Sequence, residues 1–373
     1  MIEEKFVKVS GTGSFLPGDP IPFDSIEEYL GEITQAPQKV LKWIKRTKPI
    51  MKEMLDIDYV HYAIDPQSKE RTEDHVTMSV KAAKRALDCA RLRPEDIDLI
   101  AFGSSFNTQI PPTSTLIQEA LGIDMCAEVA IHANCTSAYK ALLVAHDAIR
   151  FGRYKNALVI STSATSASLT ADFFNQAMLS SEAAFMRWFL CDGSGAIVLE
   201  SADRKSDGFF VDHTYIESVG GNKRSAMHNG FPPHWINLLA AYDQGCHHMV
   251  QLFKDEVRSQ MIDSNGRTVF TNGIERMVSK HGIDLSKLRF FQLNMPTKHI
   301  VEVILKECET ALGISQSKLY TKISNMGYPG PPAAFICLDK IIRQEQLNKD
   351  DLLLSFVVEA SKFMQAGYAL TYH

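Results

Sequence analysis

No two cysteines in this chain stand in a C-x-x-C pair, and their total, seven, is odd. Scattered thiols of odd number supply neither a disulfide framework nor a four-sulfur zinc site, and they read as a reducing cytoplasm. No apolar run reaches the roughly 18 residues that a membrane span needs. The opening Met1-Ile2-Glu3-Glu4-Lys5 is acidic and has no secretory pattern. Basic residues are not in excess: 39 Lys and Arg stand against 44 Asp and Glu, a formal net charge of -5. That balance argues against nucleic acid as the main partner, because phosphate binding needs a basic field. The chain also lacks a Gly-Lys-Ser or Gly-Lys-Thr phosphate loop. His213, His228, His234, His247 and His248 cluster near Cys246 but lack H-x-x-x-H spacing, so no metal site is expected.

What is present suits a globular protein. Of 373 residues, 45% are hydrophobic and 22% charged, enough for an ample core in one to three domains. The stretch Ile131-His132-Ala133-Asn134-Cys135-Thr136-Ser137-Ala138 organises the rest. Before it, Ala127 to Ile131 reads as a short buried strand. After it, Ala138, Leu142, Ala145 and Ile149 recur at helical spacing. A cysteine at such a junction sits beside the helix's free N–H groups and positive dipole end. This setting predicts a lowered thiol pKa and a nucleophile.

Around this stretch the pattern alternates strands and helices. Phe6 to Ser10 reads as a strand with a turn at Gly11-Thr12-Gly13. Asp74 to Arg91 reads as a helix with Val76, Val80, Ala83 and Leu87 on one face. Ile97 to Gly103 reads as a buried strand, and Thr113 to Leu121 as a helix closed by Gly122. Ala157 to Ser163 is a further buried strand. Asp192-Gly193-Ser194-Gly195-Ala196 reads as a tight turn into a strand at Ile197 to Leu199. In the second part, Leu288 to Leu293 is a strand, Ala333 to Arg343 a helix, and Asp351 to Val358 a long apolar strand. A short strand is expected at Tyr368 to Thr371.

The Cys135 junction, the Gly152 turn, the next strand and Cys191-Asp192-Gly193-Ser194-Gly195-Ala196 come in an order that resembles the condensing enzymes of the thiolase superfamily. The nearest branch is ketoacyl-carrier-protein synthase III. The resemblance implies an α/β protein with a five-layer α/β/α/β/α fold built from two pseudo-duplicated halves. Residues 1–205 would carry the nucleophilic Cys, and residues 206–373 its partner residues. It implies no bound cofactor: the thioester of coenzyme A or of acyl carrier protein phosphopantetheine is the substrate. It also implies a homodimer, or a heteromer with related synthase subunits.

Residue by residue, the resemblance makes Cys135 the nucleophile. Trp43 corresponds to a Trp that packs on the adenine of coenzyme A. Ile110 falls where an apolar residue enters the partner subunit's acyl tunnel. The basic stretch Lys42, Lys45, Arg46, Lys48 and Lys52 is either a solvated helix face or a docking patch for an acidic carrier protein. The family's catalytic His falls on Asn294 and its catalytic Asn on Tyr328, so both polar partners are replaced. Asn294 and Tyr328 donate hydrogen bonds but are not bases at neutral pH. His299, about one helical turn further on, is the candidate base, with His132 ranked lower. Glu359 reads as a surface or salt-bridged carboxylate. The expected activity is acyl transfer through a Cys thioester in fatty-acid-like or polyketide-type biosynthesis. The alternatives are decarboxylative condensation with atypical donors, and a non-catalytic partner subunit.

Overall fold

The computed structural model describes residues 4–105, 109–229, 250–252, 254–295 and 297–373. Of the expected His and Cys cluster, His234, Cys246, His247 and His248 lie outside the described residues. Ten strands join in one sheet. They are β1 (Phe6–Phe15), β2 (Leu99–Ser104), β3 (Ala127–His132), β4 (Asn156–Ala164), β5 (Asp192–Ala202), β6 (Phe209–Ser218), β7 (Leu288–Gln292), β8 (Leu319–Tyr320), β9 (Leu352–Glu359) and β10 (Met364–Tyr372). The helices that matter here are α1 (Gln38–Leu55), α2 (His75–Ala90), α3 (Thr113–Leu121), α4 (Ser137–Arg150), α5 (Val269–His281), α6 (Lys298–Leu312) and α7 (Ala333–Gln344).

The strand order is β8-β7-β9-β10-β6-β1-β5-β4-β2-β3. Read outward from the centre, the two sides match strand for strand. On one side β1 pairs antiparallel with β5, β5 antiparallel with β4, and β4 and β3 run parallel to β2. On the other, β6 pairs antiparallel with β10, β10 antiparallel with β9, and β9 and β8 run parallel to β7. The sides meet at a single residue pair, Lys8 with Phe210. No close sequence repeat betrays this duplication; the topology carries it.

Period-two alternation separates three packed cores. Leu99, Ala101, Ala157, Val159, Ile197 and Leu199 point inward onto α4, in a core shared with α7. Their neighbours Ile100, Phe102, Leu158, Ile160, Ala196 and Val198 point outward onto α2 and α3. In the second half, Leu353, Tyr368 and Leu370 join the central core, while Leu352, Leu354 and Phe356 pack outward on α5 and α6. The layers are therefore helix, sheet, central helices, sheet, helix, as the family resemblance implies.

The element types agree with the sequence pattern, and the differences centre on glycine. Gly11 and Gly13 do not make a turn: β1 runs straight through them, with a bulge between Val9 and Gly11. A Cβ at either glycine would strike the backbone carbonyls of Ala86 or Ala82 in α2. Asp192 to Ala196 is likewise strand. Gly195 has no Cβ because one would stand 2.6 Å from the Cβ of Phe335 in α7. These glycines permit close helix-on-sheet packing instead of reversing the chain. Two further expectations change. β3 is the edge of the sheet and only partly buried. β10 is a full nine-residue strand, joined to β9 by a tight turn over 360–363.

Candidate active site

Cys135 stands at the strand-to-helix junction that the sequence pattern predicts. β3 ends at His132, and α4 begins two residues after Cys135. The first turn of α4 lies directly on β2, because Gly103 leaves room there for the Ser137 carbonyl. Cys135 keeps part of its surface accessible. The phenol of Tyr328 donates a hydrogen bond to its sulfur at 3.3 Å. Tyr328 itself is 7% exposed. Its backbone is clipped to the first half by Tyr328 N–H to Phe189 O at 3.0 Å and Cys191 N–H to Tyr328 O at 3.2 Å. The preceding Gly327 has φ +73°, and a Cβ there would stand 2.9 Å from the Cys191 sulfur.

The second neighbour of the thiol differs from expectation. Glu359 is 7% exposed, at the end of β9. One oxygen accepts from Thr136 N–H at 3.2 Å and Thr136 Oγ1 at 2.6 Å, and the other accepts from Ser361 Oγ at 2.6 Å. It is neither on the surface nor in any described ion pair. It sits at the N-terminal end of α4, where a negative charge meets the positive dipole end.

Electrostatics then reverse the expected thiol pKa. Burial pushes the Cys135 thiol up to about 12, and the Glu359 carboxylate adds to the rise; the Tyr328 hydrogen bond acts against it. The Tyr328 phenol is also raised, by burial first and by its proximity to Cys135 second. The resting pair is therefore a neutral thiol and a neutral phenol.

The remaining predicted residues divide. Asn294 is buried, and its Oδ1 accepts from the Cys337 thiol at 3.3 Å while its Nδ2 donor has no hydrogen-bond partner. It belongs to a polar interior that includes Tyr139 bonded to Ser355 at 2.8 Å and Tyr368 bonded to Gln292 at 2.8 Å. His299 is exposed in the first turn of α6, and no described hydrogen bond links it to Cys135 or Tyr328. The expected base at this position thus has no supporting contact. His132 is exposed on β3. Trp43, in α1, stacks on Trp188 with ring centroids 5.3 Å apart, and Lys254 Nζ lies 5.0 Å from its ring centroid. Its ring is engaged by the protein's own side chains. Ile110 is 97% exposed, just before α3. The basic stretch of α1 is partly answered from within: Lys48 pairs with Glu27, and Lys52 with Asp24 at 3.2 Å. Lys42, Lys45 and Arg46 remain exposed. Among the described residues no cluster of His, Cys, Asp and Glu is arranged to hold a metal. No helix there is long and apolar enough to cross a membrane.

Sequence reasoning missed the closeness of Glu359 to the thiol. The signal available was its place at the end of an apolar strand; what hid it was the 223-residue separation from Thr136.

The family described as 3-oxoacyl-(acyl-carrier-protein) synthase III matches residues 129–218, the segment that carries Cys135. The beta-ketoacyl-(acyl-carrier-protein) synthase III of Clostridium perfringens is 25% identical over 357 residues, 93% of this chain and 94% of the relative. The chain is thus similar to ketoacyl-carrier-protein synthase III proteins over nearly its whole length. Two solved structures share its fold. OleA of Xanthomonas campestris superposes with a TM-score of 0.77 at 16% identity, covering 100% of this chain and 99% of that one. The 3-oxoacyl-(acyl-carrier-protein) synthase III of Aquifex aeolicus gives 0.72 at 20% identity, covering 98% and 100%.

Proposed function

We propose that this protein is an acyltransferase that carries an acyl group on Cys135, received from coenzyme A or from the phosphopantetheine of an acyl carrier protein. The single observation that carries the reading is the Cys135 sulfur at the mouth of α4, bonded by the Tyr328 phenol from the other half of the chain. Synthase III relatives named for acyl-carrier-protein substrates support the substrate class. Loading is an exchange of thioesters. Cys135 sulfur adds to the donor carbonyl, the bond from that carbon to the pantetheine sulfur breaks, and the cysteine proton ends on the departing thiol. No net proton is consumed, but the sulfur adds as the thiolate, so its proton leaves before attack and is returned to the departing pantetheine sulfur. Tyr328 holds the sulfur in place and stabilises negative charge as it develops there.

The loaded acyl group then moves to an acceptor in cytoplasmic fatty-acid-like or polyketide-type biosynthesis. The exposed Ile110 and the edge strand β3 suit a dimer, in which β3 pairs with its counterpart and Ile110 reaches the partner's tunnel. The exposed Lys42, Lys45 and Arg46 suit an acidic carrier protein. Trp43 serves the same entrance through its stack with Trp188. A second reading, decarboxylative condensation, draws on the open Nδ2 donor of Asn294, a buried group with capacity to bind an enolate oxygen.

The test is incubation with acyl-coenzyme A and with acyl-pantetheine, followed by intact mass measurement. The expected result is one acyl adduct on the wild type and none on Cys135→Ala. No adduct with any donor, or an equal adduct on the variant, overturns the reading and leaves the scaffold role. Carbon dioxide release from malonyl thioesters selects the condensation reading.

A further inference from the structure

Resting on the acyl-transfer reading above, we propose that the acyl group this site takes is oxygenated: a keto or hydroxy chain whose oxygen is bound by Gln292 and Tyr320, not a plain alkyl chain. Strand register brings the polar groups together. Tyr320, Gln292, Ser355 and Tyr368 stand side by side across β8, β7, β9 and β10. Tyr320 and Tyr368 belong to the central core, so the row faces the layer of α4 and α7. The first half carries a row in register across β2, β4 and β5 as well, but it is small: Gly103, Ser161 and Gly195. Its two glycines admit the first turns of α4 and α7 directly onto the sheet. In the second half, large polar side chains stand between sheet and helices instead.

That polar row starts under the nucleophile's helix. Tyr139, in the first turn of α4 and within electrostatic reach of Cys135, shares a hydrogen bond of 2.8 Å with Ser355 Oγ. Its ring centroid lies 5.3 Å from that of Tyr368, whose phenol donates to Gln292 Oε1 at 2.8 Å. Gln292 is fully buried, and with its oxygen so engaged its Nε2 donor has no partner among the described residues. The hydroxyl of Tyr320, its neighbour in register, is buried too and likewise has none. Buried donors left open cost stability unless an oxygen meets them, and an alkyl chain offers neither of them a partner. A keto or hydroxyl oxygen has two lone pairs and accepts from an amide N–H and a phenol at once. A site built to bond such an oxygen rejects the chain that lacks it far more strongly than an apolar pocket rejects a change of one methylene.

The experiment is calorimetric binding of unreactive pantetheine amides to the full wild-type chain. The probes are the octanoyl amide and its keto and hydroxy counterparts, with the oxygen placed at each chain carbon in turn. One oxygenated chain is expected to bind about tenfold tighter than octanoyl, or better. Gln292→Leu is expected to lower that ratio about tenfold, and Tyr320→Phe by a smaller factor. A purely structural role would weaken every ligand alike and leave the ratio where it was. Equal affinity across the series, a preference for octanoyl, no binding by any member, or a ratio unmoved in both variants overturns the proposal. If Gln292→Leu does not fold, Tyr320→Phe and the wild-type ratio decide. Amide binding needs no thiol chemistry. A clear preference without an acyl adduct on Cys135 therefore sinks the acyl-transfer reading and keeps the ligand class, whereas an adduct without preference does the reverse.

Discussion

Two helices lie in the central layer, and they hold equivalent places in the two halves. α4 follows the parallel edge strand β3, and α7 follows its counterpart β8. Both are buried along their length, and both rest on a glycine of the first-half sheet, Gly103 under Ser137 and Gly195 under Phe335. Yet α4 opens on Cys135, Thr136 and a distant carboxylate, whereas α7 opens on Pro331 and Pro332 with no side-chain cap. The charge on α7 lies lower down: Asp339 accepts from Thr12 at 2.8 Å, Ser14 at 2.6 Å and Arg343 at 2.7 Å. One helix places its buried carboxylate contact beside Cys135, the other beside a strand. The same topological slot thus carries its buried charge at the head of the helix in one copy and lower down in the other.

The comparison breaks most visibly at the two glycines. Gly103→Ala and Gly195→Ala each force a methyl into a helix's first turn and are expected to destabilise by about 2 kcal/mol or more. Denaturant unfolding measures that cost. Acyl loading per folded molecule is expected to fall only for Gly103→Ala, since only that helix carries the thiol. Next comes Asp339→Ala, which leaves Thr12, Ser14 and Arg343 without their acceptor. It is expected to cost about 2 kcal/mol, with acyl loading per folded molecule unmoved. Tyr328→Phe removes the donor to the sulfur and leaves the packing. Loading is expected to slow about tenfold, the equivalent of about 1.4 kcal/mol, with stability nearly unchanged. The smallest effect belongs to His299→Ala, expected to leave both loading rate and stability at wild-type values, as checked by the same two assays.

The fold was legible because periodicity survives wherever an element has one wet or one apolar face. The α2 helix begins at Asp74, whose side chain accepts from Thr77 N–H at 2.8 Å, close to where the apolar spacing starts. β4 and β9 show no apolar–polar alternation because both of their faces are covered. Glycine misled at residues 11, 13, 193 and 195. A glycine that makes a turn and one that admits a helix backbone look alike in sequence, and only the packed neighbour tells them apart. Cys135 was legible from its strand-to-helix junction. Its ionisation was not, because the dipole argument is local, while the burial of the sulfur and the reach of Glu359 to Thr136 follow only from the packed fold. His299 was attractive by spacing, but the start of α6 faces solvent. Trp43 was legible by its motif, and its stack on Trp188 was not, because the two rings lie far apart along the chain.

The seam between the halves has a consequence for how the protein is made. Both polar contacts at this site, the phenol on the sulfur and the carboxylate on Thr136, are encoded after residue 320, long after the cysteine has left the ribosome. The surroundings of the thiol are therefore complete only once the second half has been made.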